Sequence, residues 1–200
     1  MIDAHFAILA AVITVAGNAV YAVDTVRGNT QPNRVSWMLW TLAPMIAFAA
    51  EVTQQVGLQS LLTFAIGFGP LLVVCASLLD PKAYARVTPL DVLCGVLSVI
   101  ALVAWAVTGT GNVAIFFSIL ADFFGAVPTL RKSYRDPESE HAVAFLAGVT
   151  GSIITLLTIT SADWGFASWG FPVYVIVVSG AIALLILRPR ARRSAVGHSR

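Results

Sequence analysis

Seven apolar segments, each about as long as a helix that crosses a bilayer, are the feature that most constrains this chain of 200 residues. They lie approximately at residues 5–26, 35–55, 58–79, 90–108, 110–130, 141–160 and 166–187. A helix needs roughly 20 apolar residues to cross the hydrocarbon core, and lipid offers its backbone no other hydrogen-bond partner. We therefore predict an all-α membrane protein with seven transmembrane helices.

The composition of the chain agrees with a place in the membrane. Hydrophobic residues make up 58% of the sequence and charged residues 11%, whereas a soluble domain usually carries about 25% charged residues. The opening MIDAHF contains no Lys or Arg, so it does not have the pattern of a cleaved signal peptide. We expect it to lead directly into the first transmembrane helix.

The twelve Lys and Arg residues lie on one side of the predicted bundle, after the first, third, fifth and seventh segments. Because basic loops remain in the cytoplasm, we predict an integral plasma (inner) membrane protein with its N-terminus outside and its C-terminus cytoplasmic. Five arginines in the tail at 188–200 are typical of a segment that binds anionic lipid. Nucleic-acid binding is not expected for so short a tail.

The seven segments divide into two similar groups of three around a single linker. When Thr25–Arg27 is laid on Thr129–Arg131, Asn18 falls on Asp122. The first and fifth segments cross in the same sense, so the groups are predicted to be parallel repeats related by an axis along the membrane normal. This three-plus-one-plus-three plan gives a first repeat at 1–79, a linker helix at 80–109, a second repeat at 110–187 and a basic tail at 188–200.

This arrangement resembles that of the SWEET and PQ-loop transporters over residues 5–187. Their repeats end the first helix with Pro-Gln and a short polar loop; here the second copy has Pro128-Thr129 followed by LRKSY, and the first has Asp24-Thr25. The string from Asp122 to Gly125 is also similar to the DFxG segment of cystinosin-type, proton-coupled members. PnuC-type vitamin carriers share the helix plan. The resemblance implies a transporter with its site between the repeats at the bilayer midplane.

Asp122 is the acid that lies deepest in the predicted membrane. It precedes Arg131 by nine residues, which places it about 13–14 Å from the cytoplasmic boundary at 1.5 Å per residue. An ionised carboxylate facing lipid would cost several kcal/mol, so we expect Asp122 to face the bundle interior, to be protonated, or both. Solute or proton binding and a structural hydrogen bond to Asn18 or to a Ser or Thr of the sixth helix are both open.

Two further residues are candidates for the same site. Asn18 precedes Arg27 by nine residues and so shares the depth of Asp122. Trp40 lies one turn deeper than Trp37 on the same helix face and could line a cavity. Trp37 itself is predicted to lie at the cytoplasmic interface, where tryptophans concentrate. Glu51 is predicted to lie at the outer interface.

Four prolines interrupt the predicted spans: Pro44, Pro70, Pro128 and Pro172. Each removes one helix hydrogen bond, which membrane helices tolerate when neighbours satisfy the freed group. Pro70 and Pro172 end the similar strings GFGP and WGFP in the third helix of each repeat. We predict that the four prolines are hinges that let one repeat move against the other.

The sequence contains no known catalytic motif. There is no H-E-x-x-H, G-x-S-x-G or P-loop, and His5, His141 and His198 are far apart along the chain. Neither an enzyme nor a metal or other cofactor is expected. We predict a transporter or facilitator of a small polar solute, whose identity as sugar, amino acid or vitamin stays open. A membrane scaffold or receptor with the same fold is the alternative, and the oligomeric state is also open.

Overall fold

The computed structural model describes residues 2–79, 87–108 and 111–188, which form seven α-helices. They are α1 Phe6–Val26, α2 Arg34–Thr53, α3 Ser60–Leu79, α4 Pro89–Thr108, α5 Gly111–Arg135, α6 Val143–Thr158 and α7 Phe166–Leu187. Short 3-10 turns at Gly57–Gln59 and Pro137–Ser139 precede α3 and α6. Residues 189–200 of the predicted basic tail lie outside the described residues, as do Lys82 and Arg86.

The all-helical prediction is confirmed, and the helix ends lie within two residues of the predicted ones except at the end of α5. Five helices are long and apolar enough to cross a membrane, namely α1, α2, α3 with its preceding turn, α5 and α7. α5 continues to Arg135, beyond the predicted end at 130, and stops just before Pro137, since a residue that precedes proline is disfavoured in a helix. α6 has 16 residues and is shorter than predicted.

Polar residues begin two of the helices. The side chain of Asn33 accepts a hydrogen bond from the backbone N–H of Ser36 at 3.2 Å and caps α2. At the start of α4, Thr88 and Asp91 exchange side-chain and backbone hydrogen bonds in a capping box. Asn33 also donates to Asp91 Oδ1 at 2.6 Å, so the two caps are joined. Asp91 is therefore a structural residue that fixes α4 beside α2.

Six helices pack in a ring in the order α1, α3, α2, α5, α7 and α6. For description, α1–α3 and α5–α7 are called the two helix groups. α3 lies between α1 and α2, and α7 lies between α5 and α6. The groups meet where α1 packs against α6 and where α2 packs against α5. α4 packs against α5 and, to a smaller extent, against α2.

The interior and the outer surface of the bundle differ in residue type. Small side chains let α1 and α6 approach closely: Gly17 lies against Ala147, and Gly151 lies against Thr14. Large apolar side chains face outward on several helices, including Val12, Leu42, Leu146 and Val177. A surface this apolar is suited to lipid rather than water. Long apolar helices with outward-facing apolar side chains describe a helical protein embedded in a membrane.

Candidate functional site

A cavity lies inside the bundle, near the middle of the helices. Its volume open to the centres of water-sized molecules is about 60 Å³, so it is large enough to hold water or a small solute. Six helices contribute to its wall, and the described residues of α4 do not. The lining residues are Thr14, Asn18, Trp37, Trp40, Ile66, Pro70, Asp122, Ala144, Phe145, Gly148, Tyr174, Val175, Val178 and Ser179.

Asp122 is the acid of this cavity, and its side chain is only partly hydrogen-bonded. It is 5% exposed, and the Tyr174 hydroxyl donates a hydrogen bond to its Oδ2 at 2.6 Å. The other oxygen, Oδ1, is buried and has no hydrogen-bond partner among the described residues. A buried acceptor without a partner costs free energy unless something supplies the missing donor. A ligand donor could reach Oδ1 only if a neighbouring side chain moved, because the atom itself is buried.

The side chain of Asp122 does not hydrogen-bond to Asn18 or to a Ser or Thr of α6, the partners that the sequence analysis considered. Asn18 uses its Nδ2 to donate to the backbone oxygen of Thr14 at 2.9 Å, and it lies closely against Gly69. The partner is Tyr174 of α7, a residue that the sequence analysis did not consider. A signal for it existed, because Tyr174 is a polar-tipped residue two positions after Pro172 in an otherwise apolar span.

Aromatic rings form one side of the cavity. Trp37 and Trp40 lie with centroids 5.3 Å apart and planes at 78°, and Trp40 and Phe145 lie 5.9 Å apart at 79°. The indole N–H of Trp40 donates to the backbone oxygen of Asp122 at 3.3 Å. Thus Trp40 is held against the helix turn that carries the acid, and its ring position is coupled to that of α5.

Trp37 was predicted to lie at the cytoplasmic interface, and its side chain faces the protein interior. Trp37 is 2% exposed, lines the cavity and packs on Tyr21 with centroids 4.6 Å apart. Its position near the start of α2 resembled that of an interfacial residue, but its helix face turns the ring inward. Glu51 is likewise buried at 2% exposed, where Thr63 donates to its Oε1 at 2.9 Å. The depth of a residue in the membrane does not show which helix face it lies on, so the burial of these two side chains could not be predicted from depth alone.

The four predicted hinge prolines all lie inside helices. Pro70 lines the cavity from α3. Pro44, Pro128 and Pro172 are buried in α2, α5 and α7, outside the cavity lining. Their role as hinges stays a prediction.

A second polar cluster lies at the end of the bundle where α1 and α5 stop. Glu140, 2% exposed, accepts a hydrogen bond from the Tyr21 hydroxyl and forms an ion pair with Lys132 Nζ at 2.9 Å. Burial raises the pKa of the Glu140 carboxyl above its ordinary value, and the Lys132 charge counters part of that effect. Close by, His141 and Asp24 form a side-chain contact at 2.7 Å. The cluster joins α1 to the connection between α5 and α6.

Metal ligands are not grouped in the described part of the chain, where no three His, Cys, Asp or Glu side chains come together as a metal site requires. Comparison of the chain with family models, curated proteins and solved structures gives no match. The cavity and its residues therefore carry the functional argument.

Proposed function

We propose that this chain is a transporter or facilitator of a small polar solute, built from two parallel three-helix repeats joined by α4. The observation that carries the proposal is the central cavity between the two helix groups, with a buried carboxyl oxygen that has no partner among the described residues. Intramembrane acids that face a bundle interior are typical of solute and ion pathways. Asn18, Trp40 and Asp122, the predicted binding residues, all line this cavity.

The helix packing supports the repeat. Exchanging α1 with α5, α2 with α6 and α3 with α7 converts each main contact among these six helices into another that is also present. The pair α1–α3 becomes α5–α7, the pair α2–α3 becomes α6–α7, and α1–α6 becomes α5–α2. A pseudo-two-fold axis between the groups would produce this relationship. It is the arrangement expected from the resemblance to SWEET and PQ-loop transporters.

The buried faces of α1 and α5 support the same axis. At the spacing that lays Thr25 on Thr129, residues of similar size and polarity are buried in both helices. The buried pairs are Ala10 with Ala114, Thr14 with Ser118, Asn18 with Asp122 and Thr25 with Thr129. The pair that lines the cavity is Asn18 and Asp122, so one repeat has an amide where the other has an acid. The two repeats would therefore offer the solute different chemical groups.

A proton can take part in this cycle at Asp122. Protonated, the carboxyl is a neutral donor that the apolar cavity tolerates; ionised, it attracts a polar or cationic group of the solute. If both forms occur in one cycle, solute movement is coupled to protons. The prolines would then supply the bends that move one repeat against the other, with the N-terminus outside and the C-terminus in the cytoplasm.

Uptake into proteoliposomes tests the proposal. A thermal-shift screen of purified protein against metabolites first selects solutes, and their uptake is then measured with and without a pH gradient. We expect uptake by the wild type and loss of its pH-gradient dependence in Asp122→Asn. The matched control is Asp163→Asn, at an exposed acid outside the cavity, which should behave as the wild type. A stable protein that takes up none of the selected solutes, yet captures a partner protein, would instead indicate a scaffold or receptor.

A further inference from the structure

We propose that the solute of the central cavity is a small organic cation, such as an amine, a quaternary ammonium or a guanidinium compound. The inference rests on the proposed function for the identity of the site, and it adds the chemical class of the ligand. It is carried by the charge of the lining, the hydrogen bonds that the lining has already made, and the geometry of its aromatic rings.

The first observation is an uncompensated acid. Among the described residues that line the cavity, Asp122 is the one acid, and none is Lys, Arg or His. Tyr174 supplies a neutral hydrogen bond to Oδ2, so it does not neutralise the charge of an ionised carboxylate. Oδ1 is left without any donor. A cation placed beside Oδ1 would supply the missing charge, and an N–H group on it would also supply the missing hydrogen bond.

The second observation is that several polar groups of the lining already hydrogen-bond to the protein. Thr14 Oγ1 donates to the backbone oxygen of Ala10 at 2.9 Å, and Asn18 Nδ2 donates to that of Thr14 at 2.9 Å. Tyr174 donates to Asp122. A polyhydroxylated solute needs several free donors and acceptors around it, because each buried hydroxyl without a partner is costly. The bonds already made leave fewer of them for such a solute.

The third observation is the arrangement of aromatic rings beside the acid. Trp37, Trp40 and Phe145 line the cavity with ring planes close to perpendicular in two of the three pairs, at 78° and 79°. Tyr174 adds a fourth ring next to the carboxylate. The faces of aromatic rings attract cations, so a cavity wall with several rings beside a carboxyl favours an ammonium group over an anion.

Ligand binding to the purified full-length protein in detergent tests the inference. The probes are choline chloride, methylammonium chloride and guanidinium chloride, with sodium chloride at equal ionic strength as the blank. The decisive comparison is the neutral isostere of choline, 3,3-dimethylbutan-1-ol, which keeps its shape and hydroxyl but has no charge. Calorimetry measures the affinity of each. We expect at least one cation to bind at least about tenfold more tightly than the neutral isostere, as for one lost charge-assisted contact.

Variants connect that preference to the cavity. Asp122→Asn should weaken cation binding by about tenfold or more, and Trp40→Leu should weaken it by a smaller factor. Asp163→Asn and Trp164→Leu, at exposed positions outside the cavity, should leave it unchanged. If Asp122→Asn does not fold, Trp40→Leu decides, because cation binding by a folded Trp40→Leu variant as tight as that of the wild type would place the cation outside this cavity.

The outcomes separate this inference from the proposed function. Failure of all three cations to bind more tightly than the neutral isostere, or undiminished cation binding to a folded Asp122→Asn variant, would overturn the cation assignment. Selective cation binding without uptake into proteoliposomes would retain the cation site and refute transport. Uptake of a neutral solute that none of the cations inhibits would retain transport and refute the cation site.

Discussion

The hydroxyl of Tyr21 on α1 donates a hydrogen bond to the carboxylate of Glu140, which lies 119 residues later in the connection between α5 and α6. Both side chains are buried. Lys132 reaches the same carboxylate and also donates to the backbone oxygen of Gln31, which precedes α2. The cluster thus joins the two helix groups at one end of the bundle, while Asp122 and the cavity lie nearer the middle.

Tyr21→Phe removes the hydroxyl from this cluster and leaves Glu140 with one donor fewer. Because the lost bond is buried and its acceptor carries charge, we expect the free energy of unfolding to fall by about 1–3 kcal/mol. Thermal or denaturant unfolding in detergent measures the change. The control is Tyr134→Phe, at a 60% exposed tyrosine, which should change stability by less than about 0.5 kcal/mol. Equal effects of the two substitutions would contradict a stabilising role for the cluster.

The raised pKa of Glu140 predicts a pH dependence of stability. Burial is the main cause that raises the pKa of Glu140 above its ordinary value of 4.5. At pH values between 4.5 and this raised pKa, the folded state therefore binds more protons than the unfolded state. Stability from this group is fully present below pH 4.5 and is lost as the pH rises through the folded-state pKa. We expect Glu140→Gln, compared with wild type over pH 4–8, to remove that part of the decline. Identical pH profiles would show that Glu140 does not cause it.

Asp122→Asn is expected to fold and to remain inserted in the membrane. Asparagine keeps the size of the side chain and an oxygen that can accept the Tyr174 hydrogen bond, while removing a buried group that can carry charge. We expect stability equal to or higher than that of the wild type, measured by thermal unfolding after size-exclusion chromatography. Loss of folded protein would show instead that Asp122 is a helix-packing residue.

Gly69→Ala should disturb the cavity through Asn18. A Cβ at position 69 would lie 2.6 Å from Asn18 Cγ and 2.8 Å from its Cβ, so the body of the Asn18 side chain would have to move. We expect a loss of about 1–3 kcal/mol in unfolding free energy. The control is Gly180→Ala in α7, where the nearest atom is 4.0 Å away and a helical alanine should be neutral or stabilising by about 0.5–1 kcal/mol. A neutral Gly69→Ala would show that the close contact is easily relieved.

Single-cysteine labelling tests the predicted orientation. In a background in which Cys75 and Cys94 are replaced by alanine, cysteine is placed at the exposed positions of Asn29, Arg135 and Asp163. Because the positive-inside rule places basic connections in the cytoplasm, positions 29 and 135 should react with an impermeant reagent from the cytoplasmic side. Position 163 should react from outside. Labelling of 29 and 135 from opposite sides would refute the parallel repeat.

The sequence by itself determined the helical membrane fold and the level at which the candidate residues lie. Runs of about 20 apolar residues permit little else in a bilayer, and the fixed rise of a helix converts spacing along the chain into depth. For this reason Asn18 and Asp122, each nine residues before an arginine, could be assigned to one level, and both line the same cavity.

The tertiary structure decided which side chains meet at that level. Tyr174 as the partner of Asp122, Trp37 as a cavity wall rather than an interfacial residue, and the burial of Glu51 all depend on how each helix is turned about its axis. That rotation is fixed by the close packing of neighbouring helices. Apolar spans that face protein and apolar spans that face lipid have similar sequences, so depth could be predicted from the sequence and the contacts between helices could not.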